Sequence, residues 1–226
     1  MRRNSSTIVV LAGQVPAEVL AAASRSMNVA LYRPDAPAGT HGDDGGLAAA
    51  PFEASTALEA STAALQRAGR SSSPYALVPA DPLATVAARW REMWDLSRQP
   101  GPAAFEAEAA QALAAWRAGR FELPDYYLVL AAAASQPASP ADDEAAPIPD
   151  FYLGPLRSAR PHRVVLVPAT EPAEQAEGVL HALGSLRHGP WWPGLDQVIE
   201  TARRFYPSSL TETAAVTLAG GPGRAG

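Results

Sequence analysis

The chain has 226 residues, 47% of them hydrophobic and 18% charged, with a formal net charge of −5 and a pI near 5.4. That length suffices for one sizeable domain with a real core, and the acidic balance gives no chain-wide footprint for nucleic acid or an anionic membrane. Cysteine is absent, which removes disulfides, thiolate nucleophiles, iron–sulfur clusters and Cys-bearing zinc sites and fits a cytoplasmic protein.

The opening "MRRNSSTIVVLAGQVPAEVLAAAS" has a basic head and an apolar stretch, but Gln14, Pro16 and Glu18 interrupt it, so no secretory leader is expected. Elsewhere the longest apolar run, Tyr126 to Ala134, has nine residues, short of the roughly 20 that a spanning helix needs. Nor does lysine occur: all 18 basic residues are arginine. In so Arg-, Ala- and Pro-rich a composition, single residues of these types carry little functional weight.

In chain order, "TIVVLAG" predicts a buried strand, "VPAEVLAAASRSM" a helix with Val15, Val19, Leu20 and Ala23 on one face, and "NVALYRP" a second strand. The grammar recurs in "SPYALVPADP", "DYYLVLAAAA" and "HRVVLVPATEP". Short buried strands alternating with helices predict an α/β fold: a mostly parallel sheet of about five strands covered on both faces, with "TIVVLAG" and "RVVLVPA" both interior. Two units share a strand exit through Pro79 or Pro168, an N-cap at Asp81 or Thr170, and Pro82 or Pro172 in the first turn.

Two helices are expected between the third and fourth strands, as a helical-hairpin insertion. One carries Leu83, Val86, Ala87, Trp90, Met93 and Trp94 on a stripe, the other Phe105, Ala109, Ala112, Leu113 and Trp116. The stripes are expected to face the core, the alternative being an oligomer contact through Trp90, Trp94 and Trp116. Residues 34–51 and 136–149 read as surface loops of a single domain over residues 1–210, followed by a flexible tail, 211–226.

Ligands of open parallel sheets bind beyond the strands' carboxyl ends, which directs attention to Gln14, Arg33, Asp35, Asp81, Ser135, Thr170 and Glu171. Asp35 follows Gly13 at the spacing of a ribose-binding acid, but "GQVPAE" holds one glycine of the three a dinucleotide loop requires. No cofactor is expected. Asp81 is better explained as a helix cap than as a ligand group, while for Thr170 the two readings stand nearly level. His41 with Asp43 and Asp44 lacks a third ligand geometry, and His181 and His188 have no nucleophile or acid in motif spacing, so no metal site and no catalytic dyad is assigned.

The strongest concentration of chemistry lies at residues 151–206, where Arg157, Arg160, His162, Arg163, Arg187 and His188 interleave with Phe151, Tyr152, Trp191 and Trp192. Arginine with aromatics is the vocabulary of interfaces and anion recognition. In "LRHGPWWPG" neighbouring side chains of an extended segment point opposite ways, so one tryptophan should plug the core and the other stay partly exposed. Two function classes fit. One is a non-catalytic binding or accessory module that holds a protein partner or small anionic ligand through Arg157, Arg160, Arg187, His188, Trp191 and Trp192. The alternative is a Rossmann-like enzyme with a strand-end pocket formed by Gln14, Asp35, Asp81, Thr170 and Glu171, its reaction unspecified. Neither nucleic acid nor a membrane is an expected partner.

Overall fold

The computed structural model describes residues 6–34, 50–94, 102–131 and 149–205. Each of the five short apolar runs becomes a strand: β1 (Thr7–Ala12), β2 (Val29–Leu31), β3 (Tyr75–Val78), β4 (Tyr126–Leu130) and β5 (Val164–Val167). They form one all-parallel sheet in the order β2-β3-β1-β4-β5. β1 is central, and Ile8 to Ala12 are buried without a break, because a parallel strand with helices above and below shows water neither face.

Right-handed crossovers then dictate which face each helix covers. From β1 the chain moves toward one edge and from β2, β3 and β4 toward the other, so α1 (Ala17–Arg25) is separated by the sheet from α2 (Ala50–Ala68), α3 (Ala84–Trp94) and α4 (Pro102–Arg117). After β5, α7 (Pro172–Gly184) returns to lie beside α1, and α8 (Leu195–Arg204) crosses to the α3 and α4 face. Between β4 and β5 run α5 (Pro149–Phe151), a π-helical turn (Tyr152–Leu156), α6 (Arg157–Ala159) and a 3-10 turn (Pro161–Arg163).

Alternation along the strands divides the core accordingly. Ile8, Val10, Val78, Tyr127 and Val164 face α2, α3, α4 and α8, while Val9, Leu11, Leu77, Tyr126 and Val167 face α1 and α7. Gly178 lets α7 sit directly over β5, since a Cβ there would lie 2.8 Å from Val167 Cγ1. No described helix is long and apolar enough to cross a membrane.

Several expectations need revision. β5 is an edge strand, with β4 as its sole strand neighbour among the described residues, and Val165 is only half-buried. The loop expected at 34–51 yields to α2 from Ala50 onward, and residues 35–49 lie outside the described residues, as do 132–148 and 206–226. Helices α3 and α4 are the crossover that carries the chain past β1 from β3 to β4, and they pack on each other. Trp90 is core: it is fully buried, donates from Nε1 to Ala202 O at 2.7 Å and meets Phe151 edge-to-face. A ring closed over by α8 offers no oligomer contact. Trp116 is half-buried against the same core, and the Trp94 side chain lies outside the described residues.

The centre-to-edge contrast is measurable. Val9→Asp places a charge where neither face nor flank reaches water and should cost at least about 3 kcal/mol, whereas Val165→Asp, half-buried on the edge, should cost clearly less. Equal losses in paired denaturant melts would contradict the strand order.

Candidate functional site

The carboxyl end of β1 is the sheet's switch point, because its connection leaves to one face and those of β3 and β4 to the other. Gly13 has a φ of 108°, and a Cβ there would sit 3.0 Å from Leu130 O, so the glycine serves a close backbone approach. Gln14 follows, exposed. Among the described residues the candidate polar groups do not converge. Asp81 bonds to Tyr127 on the α3 face, whereas Thr170 and Glu171 open α7 on the other. Asp35 and Ser135 lie outside the described residues.

Asp81 turns inward, only 8% exposed. Its Oδ1 accepts from the Leu83 N–H at 3.1 Å, as expected for a cap before α3, and also from the Tyr127 hydroxyl at 3.1 Å; its Oδ2 accepts from the Tyr152 hydroxyl at 2.5 Å. Burial pushes the carboxyl up to about 6, against the pull of the Tyr152 hydroxyl, the Leu83 N–H and the Tyr127 hydroxyl. Both phenols are in turn held well above their ordinary range by burial and by the carboxylate beside them. Tyr152 stands on the π-helical turn, which brings that segment's ring onto the acid.

At α7 the cap is Glu171, with no side-chain bond to the helix, so Thr170 is not the N-cap. The residue that ties this corner together is Gln175. Its Nε2 donates to Ala131 O at 2.7 Å and Ala169 O at 2.9 Å, joining the carboxyl ends of β4 and β5, while its buried Oε1 has no partner. Among the described residues no three His, Asp or Glu side chains gather as a metal site. His41, Asp43 and Asp44 lie outside them.

The opposite, amino end of the sheet is organised by Arg163, immediately before β5. Its guanidinium is buried, with Nε donating to Pro190 O at 2.6 Å, Nη1 to Asp125 O at 2.9 Å and Nη2 to Gly189 O at 2.9 Å. It lies 4.5 Å from the Trp191 ring centroid and 5.4 Å from that of Tyr126. Arg160 donates to Trp191 O and to Ala159 O, the latter at 2.7 Å. The Tyr126 hydroxyl donates to Arg187 O at 2.9 Å. Two basic stretches far apart in sequence, 157–163 and 187–191, are thereby fused into one surface. Its side chains are unequal: Arg157, Arg187 and His188 are exposed, whereas Arg160 is half-buried and occupied.

The two tryptophans divide as alternation requires. Trp192 is a plug, 6% exposed, donating from Nε1 to Pro124 O at 2.6 Å and packing edge-to-face on Tyr127; it is withdrawn from the contact set. Trp191 remains 46% exposed. Sequence reasoning grouped Arg163 with its basic neighbours and did not separate it; its place directly before a strand was the available signal. Depressions elsewhere include a shallow one at the end of α8, lined by Glu200, Thr201, Arg204 and Phe205.

The sequence matches no protein-family model and no curated protein, and no solved structure matches the fold.

Trp192→Ala should destabilise the fold by about 3 to 5 kcal/mol, since it empties a packed site and orphans Pro124 O; a denaturant midpoint near that of wild type would contradict the plug. For Asp81 the sign follows from its raised folded-state value. The folded protein retains this proton between the unfolded value, near 3.8, and about 6, so the stabilisation is fully present below 3.8 and erodes as pH rises toward 6. The total is roughly 3 kcal/mol. Asp81→Asn removes the titration, so the melting temperature of the variant should gain on wild type from pH 4 to 7 and run parallel above. A constant gap across that range would refute the assignment.

Proposed function

We propose that the protein is a non-catalytic binding module that holds a protein partner, or a small anionic ligand, on the surface formed by Trp191 with Arg157, Arg187 and His188. The observation that carries this reading is the half-exposed Trp191 ring, fixed from behind by Arg163 and through its own carbonyl by Arg160. A large indole held in one position has little freedom to lose on binding, which is what makes aromatic anchors effective at interfaces. Exposed arginines around it supply local positive charge on a chain that is acidic overall, so the favoured partner presents carboxylates around an apolar or aromatic contact. Arg160 and Arg163 act as positioning residues. The location of such a module is expected to be cytoplasmic.

The alternative, a Rossmann-like enzyme, draws its support from Asp81 alone, because a buried acid titrating near 6 is the kind of group active sites use. Against it, Asp81 is enclosed, and the three partners described above are all internal. The sheet order β2-β3-β1-β4-β5 also differs from the 3-2-1-4-5 arrangement of dinucleotide-binding sheets.

Trp191→Ala, and separately Arg187→Ala with His188→Ala, should leave the melting temperature nearly unchanged. Each should nevertheless abolish partner recovery when tagged protein is used as bait and eluates are quantified against wild type. Partners recovered equally by both variants would remove the support for this surface.

A further inference from the structure

We infer that β5 is a dimerisation edge, at which two copies of this chain join their sheets by antiparallel pairing of Val164–Val167 about a two-fold axis. Among the described residues β5 has a strand neighbour on one side only, and its sequence, "VVLV", contains none of the charges or prolines that natural edge strands use to discourage pairing. Leu166 is 38% exposed there. The other edge, β2, is three residues long and offers a shorter template.

Backbone direction makes the edge self-complementary. The Val167 carbonyl accepts from the Ala131 N–H at 3.1 Å, so Val167 turns its polar groups toward β4. Alternate residues turn the opposite way, which leaves the N–H and C=O of Val164 and Leu166 facing outward. With Val165 on the axis, Leu166 of one copy stands opposite Val164 of the other, and each such pair can exchange both hydrogen bonds. Opposite residues then share a sheet face: Val164 lies on the face of α3 and α8, and alternation along the strand puts Leu166 on that same side.

Charge selects the antiparallel direction. The amino end of β5 is approached through exposed Arg157, and its carboxyl end leads into exposed Glu171 and Glu174. Antiparallel pairing sets the basic end of each copy beside the acidic end of the other, twice over. A parallel arrangement would set like beside like.

The test is the solution mass of the full chain by light scattering across micromolar concentrations, with circular dichroism to verify folding. Wild type should approach twice the 23.6 kDa chain mass. Leu166→Lys, which charges the edge, and Leu166→Pro, which deletes an outward N–H without touching a bond to β4, should both remain folded and be monomeric. Glu171→Arg with Glu174→Arg should weaken the dimer, and Trp191→Ala should leave it intact. A wild-type monomer throughout, as when the chain's own residues or a different protein cover the edge, overturns the inference. So does a dimer that survives both Leu166 substitutions, or one that Trp191→Ala dissolves.

Discussion

The constraint on which the rest depends is that β1 sees no water. Flanked by β3 and β4 and roofed on both faces, it buries Ile8 to Ala12 completely, and a parallel sheet so enclosed has no surface of its own to offer a ligand. Anything the protein meets must be met at strand ends, at a sheet edge or on the outer sides of helices. The two strand ends are used differently. At the carboxyl end the described polar groups are largely spent internally: Asp81 on two tyrosines and a backbone N–H, Gln175 on two carbonyls, and Gly13 on a close approach to Leu130.

At the amino end the same economy is reversed. One buried guanidinium, Arg163, satisfies three carbonyls and backs an indole that is left half in solvent. Charge-assisted bonds to carbonyls contribute about 1.5 to 3 kcal/mol each, ample to hold an irregular segment that lacks a ladder of its own. The alternation of the tryptophans needs that rigidity. Trp192 can reach Tyr127 and Pro124 only while Gly189 and Pro190 are anchored, and Trp191 is then turned outward by geometry alone.

Much of this was legible in the sequence, for a physical reason. Parallel strands covered by helices read as short continuous apolar runs, and all five were visible as such, as were the stripe that buries Trp90 and the split between Trp191 and Trp192. Strand order was not legible, because "TIVVLAG" at the centre and "RVVLVPA" at the edge look alike; the edge shows only in the outward Leu166. Helix α2 was hidden by its composition, in which small and polar residues, including buried Ser61 and Thr62, dilute the apolar face of Leu58, Ala64, Leu65 and Ala68. The roles of Arg163 and Gln175 depend on carbonyls tens of residues away, Pro190, Asp125 and Gly189 for the one and Ala131 for the other, which no local pattern encodes. Asp81 was legible as a cap but not as the partner of Tyr127 and Tyr152, which reach it from 46 and 71 residues away.

The Trp191 surface and the β5 edge are neighbours joined by residues 157–163, and this adjacency constrains how they work together. Antiparallel pairing about Val165 carries the amino ends of the two β5 strands away from each other, so a dimer presents two separate Trp191 surfaces and no composite site. Each then binds for itself, and a partner with two acidic segments gains by effective concentration when its linker spans the pair. The arginines are less separable than the indole. Exposed Arg157 is assigned both to the acidic end of a second copy and to an acidic partner, so under these proposals partner binding and dimerisation draw on the same charge. By linkage each weakens the other to the extent that this charge is shared, while Trp191, which no edge contact requires, belongs to the partner alone.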